Sequence, residues 1–173
     1  MLTADAASQL IHALISTRLD FCNSILCNLP KCKIDRLQKI QNQAARVLTR
    51  SPRRNHITPV LRDLHWLRIN DRIIFKILIL TYKAVTGVAP AYLCEIIELT
   101  NKSTTVRTRE AADPLLLRIP PLSKLCSNTY FERSFMYAAP TLWNDLDIDI
   151  RMLPFSLFKS RVKTLLYLKY FQE

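Results

Sequence analysis

The sequence predicts a mainly α protein, a helical bundle around a buried central helix, with one small β-hairpin admitted in the C-terminal half. Three observations point there. The 173 residues include a single glycine, Gly87, where ordinary usage is about 7%, and hairpin-rich or barrel architectures need many residues at positive φ. Apolar side chains recur three and four apart through several long stretches. Prolines stand between those stretches, where they stop one helix or open the next. With 49% hydrophobic residues, a chain of this length can bury a sizeable core.

The first helix is expected from Ala4 to about Leu26, with Leu10, Leu14, Ile15, Phe21, Ile25 and Leu26 toward the core and Asn28, Leu29 and Pro30 ending it. A second helix follows at once and stops at Ser51-Pro52. At about 100° per residue, Ile34, Leu37, Ile40, Ala44, Val47 and Leu48 share its apolar face, while Arg36, Lys39, Gln43, Arg46 and Arg50 form a neighbouring stripe. Thr58-Pro59 has the cap-then-proline order of a helix start, and a short turn through Leu64 leads to His65-Trp66. Asn70 caps a third long helix, 71–86, which is apolar on nearly every side and therefore central. Gly87 closes it, and Pro90 starts a short helix through Glu98. Further on, LLLRIPP at 115–121 reads as an edge strand cut off by its prolines, with 130–137 as a partner or as helix. Pro140 is expected to open a short helix with Leu142, Trp143 and Leu146, and Ser156 the last one, docking Phe155, Phe158, Val162, Leu165 and Leu166.

Residues 101–113, NKSTTVRTREAAD, have no periodicity and few apolar side chains, and read as an exposed linker. They divide a helical region, 1–100, which carries the basic helix, from a small C-terminal region, 114–173. No cleavable hydrophobic leader is evident, and five cysteines, an odd number, suit a reducing intracellular compartment, nucleus or cytoplasm, and not secretion. The longest apolar run, 73–80, is interrupted by Lys76 and falls far short of the roughly 20 residues of a membrane span.

Reaction chemistry finds little support. Cys22, Cys27 and Cys32 are five residues apart, whereas zinc sites bring paired cysteines two to four apart on a tight turn, so small buried thiols are the better reading. Nothing local marks Cys22 or Cys94 as an activated nucleophile. Asp145, Asp147 and Asp149 line up only if extended, and no glycine turn of a Ca²⁺ loop accompanies them. A Walker phosphate loop is excluded by the single glycine. His65, Trp66 and Trp143 suit base stacking, but also the commoner role of core plugs. No catalytic, metal or cofactor residue is assigned.

Charge is more informative. The net charge is +11, which favours polyanions as partners. Between Lys31 and Arg54 eight basic residues face Asp35 alone, so +7 of that charge falls within 24 positions. Gln38, Gln41, Asn42 and Gln43 are interleaved with them and can donate to phosphate or base edges. The pattern fits a binding surface, and equally the solvated side of an ordinary amphipathic helix.

Several segments together carry a resemblance: RLDFCNSIL (18–26), RLQKIQNQAARVLT (36–49), HITPVLRDLHWL (56–67), RIIFKILILTYKA (72–84), GVAPAYL (87–93), AAPTLWNDL (138–146) and FKSRVKTLL (158–166). In combination they make almost the whole chain resemble the region after the polymerase core in non-LTR (LINE-type) retrotransposon reverse transcriptases, particularly the jockey-like and chicken-repeat-like branches. Two positions depart from that pattern, Arg68 and Asp147 standing where the family tends to have proline. The resemblance implies that the palm, with its Mg²⁺-binding aspartates, and the endonuclease lie upstream of Met1, so the family's catalytic residues match no position here. It also implies a thumb-like helical region over 1–100 that holds template RNA or primer duplex during target-primed reverse transcription. On that expectation Arg36, Lys39, Arg46, Arg50, Arg53 and Arg54 contact the phosphates of RNA or an RNA/DNA duplex, with the remainder of a polymerase as a further partner and no membrane. The alternative is a helical protein–protein interaction module derived from such an element.

Overall fold

A computed structural model describes residues 3–100, 115–121 and 128–171. It is mainly α, and no strand occurs among the described residues. The helices in chain order are α1 (Ala4–Ile11), α2 (Thr17–Asp20), α3 (Lys31–Thr49), α4 (Ile57–Asp63), α5 (Ile69–Val85), α6 (Ala91–Ile96), α7 (Asn128–Phe131), α8 (Phe135–Asn144), α9 (Ile148–Arg151) and α10 (Phe155–Phe171). A π-helical turn, His12–Ser16, joins α1 to α2, and a 3-10 turn covers Asn23–Leu26. The chain forms two compact units, one from 1–73 with 166–173 and the other from 74–165. Residues 166–173 thus fall in the first unit, although the sequence places them in a C-terminal region; the expected linker, 101–113, lies outside the described residues.

In the first unit, Thr3 caps α1 by accepting the Ala6 N–H on its hydroxyl. The helical path does not reach Leu26 as expected. It breaks at Phe21, which is extended, and Cys22, which takes φ 49° in the left-handed region. Without a further turn the expected apolar face is lost. Leu10, Leu14, Phe21 and Ile25 are exposed, Phe21 by 78%, and Ile11 is buried in their stead. A bidentate pair between Arg72 and Asp20, with Arg72 Nε donating to Oδ1 at 2.8 Å, ties the end of α2 to α5. Helix α4 begins at Ile57 with His56 as its N-cap, not at Thr58, whose hydroxyl instead hydrogen-bonds that of Tyr170 at 3.2 Å. Ala45, Val60 and Leu61 form a core cluster with Ile57, Leu64 and Trp66 packed against it.

The second unit has an aromatic interior. Tyr82 packs against Trp143, Phe155 and Phe158, and its hydroxyl donates to the Leu153 carbonyl at 2.9 Å. Gly87, at φ 73°, follows the end of α5 as expected. Pro140 does not open a helix. It lies buried inside α8, which starts five residues earlier after Ser134. The expected hairpin between 115–121 and 130–137 is absent: Leu117 forms an isolated antiparallel bridge with Leu99, and 135–137 are helical. Asn144 fixes that pairing, since its side-chain amide donates to the Leu117 carbonyl at 2.8 Å and accepts the Leu117 N–H at 3.0 Å. Trp143 adds a third bond, Nε1 to the Leu115 carbonyl at 2.8 Å.

Candidate nucleic-acid interface

Helix α3 has two unlike faces, and they are not the ones its pattern suggests. Gln38, Gln41, Ala44 and Ala45 are buried. Ile40 and Val47, assigned to the core from sequence, are exposed by 45% and 67%. The buried arc is thus rotated toward the glutamines. Gln38 Oε1 accepts the Ile69 N–H at 2.9 Å, one of the N-terminal donors of α5 that has no partner in its own helix. Gln41 Nε2 donates to the Leu67 carbonyl at 2.8 Å. Gln38 Nε2 in turn donates to Gln41 Oε1 and Asn42 Oδ1, both at 2.8 Å. Satisfied in this way, carboxamides can be buried without the desolvation penalty that would otherwise expel them. Gln38 and Gln41 therefore belong to the fold, and their expected role as phosphate or base donors does not hold; Asn42 is half-buried with its Oδ1 engaged, and Gln43 is exposed.

The outward face carries the charge. Arg36, Lys39 and Arg50 are exposed on α3, and Arg53 and Arg54 are exposed on the turn beyond it. Among the described residues no carboxylate forms an ion pair with any of these five. From Arg36 to Arg50 the helix rises by about 21 Å, a length that faces roughly six base pairs of duplex axis. Lys31 and Lys33 are also exposed on this helix. Ile40 and Val47 lie within the same face, which makes it partly apolar, a property sequence periodicity assigned to the core.

Arg46 differs from the other five. Half-buried, it donates from Nη1 to the Pro52 carbonyl at 2.7 Å and from Nη2 to the Asn55 carbonyl at 2.8 Å. It braces the turn that presents Arg53 and Arg54, itself closed by the Asn55 N–H on the Pro52 carbonyl at 3.1 Å. Arg50 ends the helix at φ 52°, with its N–H on the Arg46 carbonyl. The sequence hint for this arrangement is Pro52 in SPRRN, which stops the helix and leaves carbonyls for a nearby guanidinium.

The aromatic candidates separate. Trp143 is buried, whereas His65, exposed at φ 54°, stacks on Tyr167 with centroids 5.9 Å apart. Trp66 is half-buried and meets His12 edge-on. Cys22 and Cys32 are exposed and Cys27 is buried, its thiol pushed up from the ordinary range by that burial. Among the described residues no three His, Cys, Asp or Glu side chains gather as a metal site, and no helix is long and apolar enough to cross a membrane. No family model, curated protein or solved structure matches the chain.

Proposed function

We propose that this chain is a non-catalytic nucleic-acid-binding segment of a retrotransposon RNA-directed DNA polymerase, holding template RNA or an RNA/DNA duplex through phosphate contacts. One observation carries the reading: Arg36, Lys39, Arg50, Arg53 and Arg54 stand in solvent with no carboxylate partner among the described residues, on a helix and a braced turn. Cations so placed gain chiefly by releasing counterions from phosphate, so affinity falls steeply with salt and little sequence is read. The family resemblance adds the class of polymer. The reading places the chain inside the cell and takes the remainder of a polymerase as its covalent or assembled neighbour.

The test is a salt titration against a fluorescent RNA/DNA duplex. The logarithm of affinity is expected to fall linearly with the logarithm of salt, and Arg50→Glu, Arg53→Glu and Arg54→Glu together to flatten that slope by about 2–3. Arg46 is left intact because its substitution would release the turn as well as remove a charge. No binding at low salt, or a slope unmoved by the triple reversal, would end the proposal.

A second reading, a helical protein-interaction module, is favoured by the exposure of Leu14, Phe21, Ile25 and Val47 in the first unit. It predicts a stable complex whose affinity is insensitive to salt and is lost on Phe21→Ser, a substitution that leaves duplex binding unchanged.

A further inference from the structure

A cavity of about 410 Å³ lies in the first unit, and none of Arg36, Lys39, Arg50, Arg53 and Arg54 lines it. Its α3 wall includes Lys31, which at 100° per residue is turned about 140° from Arg36. The start of α5 contributes Arg68 and Asp71, and α10 contributes Lys169 and Tyr170. The volume falls within the roughly 300–1,000 Å³ of small-ligand sites.

The chemistry of the walls is mixed in a specific way. The Arg68 guanidinium lies over the Tyr170 ring, 4.4 Å from its centroid, and the Tyr170 hydroxyl is bonded to Thr58, so the pair offers a cationic, aromatic platform at the cavity wall, the Arg68–Tyr170 plate. Lys31 and Lys169 are exposed cations at the same cavity. Asp71 is half-buried, and no hydrogen bond among the described residues engages its carboxylate or that of Asp35. Burial raises the Asp71 carboxyl, against the pull of Arg68 and Lys169. Its carboxylate thus faces the cavity's cations without a hydrogen bond from the described residues and can accept one from a ligand. An isolated phosphate would fill little of this space and meet two carboxylates. A purely apolar ligand would strip water from Asp71 and return no hydrogen bond.

What answers all of these demands is a flat ring with N–H donors in its plane, joined to a phosphate. We propose that the cavity takes one unstacked nucleotide of a single strand, its phosphate at Lys31 and Lys169, its base on the Arg68–Tyr170 plate, and the base's amino edge on the carboxylates of Asp71 and Asp35. Guanine suits them best, because N1–H and N2–H₂ offer adjacent donors to one carboxylate, whereas uracil brings one N–H flanked by two carbonyl oxygens. The proposal shares the nucleic-acid reading above for its class of ligand, but it uses none of the outward cations of that reading.

The test is calorimetric titration of the full chain with 5′-GMP, 5′-UMP and inorganic phosphate. GMP is expected to bind at least about tenfold more tightly than UMP, the lower range for one bidentate base contact. Inorganic phosphate, which can occupy only the Lys31 and Lys169 end, is expected to bind at least about tenfold more weakly than GMP. Asp71→Asn should erase the preference for GMP, Asp35→Asn should reduce it, and Lys169→Gln should weaken both nucleotides alike. Should Asp71→Asn fail to fold, the exposed Asp35→Asn still decides. Equal binding of UMP, binding of inorganic phosphate as tight as that of GMP, or no nucleotide binding at millimolar concentration would overturn the proposal. The Arg50, Arg53 and Arg54 triple reversal separates the two sites: it should weaken duplex affinity and flatten its salt dependence while sparing GMP. Loss of GMP binding in that variant would show that no separate pocket exists, whereas duplex binding without any GMP binding would refute the pocket alone.

Discussion

The two compact units of this chain reach a folded interior by different means. In the second, Trp143, Phe158, Ile77, Leu78 and Val162 are nearly sequestered from solvent, and an aromatic cluster around Tyr82 supplies the packing. In the first, part of the interior is polar: Gln41 and Gln38 link α3 to the Leu67 carbonyl and the Ile69 N–H, Asn42 accepts from Gln38, and Arg72 pairs with Asp20. The same unit leaves Leu14, Phe21, Ile25 and Val47 in solvent. A packed aromatic core gains by excluding water and tolerates few alternatives. A hydrogen-bonded seam gains less per group but fixes which residues face each other. Exposed apolar side chains do not separate the units, since Val88, Tyr92, Tyr130 and Met152 are as open in the second; the proposed binding surfaces lie in the first, on α3 and at the cavity beside it.

The comparison can be broken most readily at Trp143. Trp143→Ala should cost about 3–5 kcal/mol in denaturant unfolding, the cost of emptying a packed aromatic site whose indole N–H also holds Leu115. A cost below about 1 kcal/mol would mean the second unit is not held by its aromatic core. The seam of the first unit predicts a smaller loss. Gln41→Ala leaves the Leu67 carbonyl and one Gln38 donor hydrogen without their partner, for about 1–3 kcal/mol in the same measurement. Gln41→Leu should cost as much despite its better apolar volume, because the orphaned carbonyl is the cause.

The smallest effect sharpens the comparison by separating charge from backbone. Arg50 ends α3 at φ 52°, where a side chain is strained and glycine is not. Arg50→Gly should therefore stabilise the chain by up to about 1 kcal/mol while weakening duplex binding at low salt. A variant that is more stable yet binds less well would show that this cation is held at a cost to the fold. Destabilisation would instead show that the arginine side chain supports the helix end.

Much of the helical architecture was legible from local chemistry. Pro30, Pro52 and Pro90 mark true boundaries, and the run of Ile and Leu in 71–86 marks a helix with a deeply buried side at Ile73, Ile77, Leu78 and Thr81. The concentration of cations on α3 was legible too, since exposure of Arg and Lys follows from their hydration. Errors fell where a residue's place depends on a distant partner. Ile40 and Val47 have the periodicity of a core face, but Gln38 and Gln41 displace them because their partners lie 31 and 26 residues away. The bracing bonds of Arg46 were not legible either, because they depend on the path of residues 52–55. Pro140 looked like a helix start, yet the first helical turn had already formed from Phe135.

The sequence by itself determined that the chain is helical, where most helices stop, and that its positive charge is concentrated along one of them, because propensity, proline geometry and charge act within a few residues. Tertiary structure alone decided which face of α3 turns inward, that Leu117 pairs with Leu99, and that Lys31, Arg68 and Lys169 line one cavity. Those outcomes rest on hydrogen bonds and packing between residues tens of positions apart, and the energy of burying a polar group is set by the partner it meets, not by its neighbours in the chain.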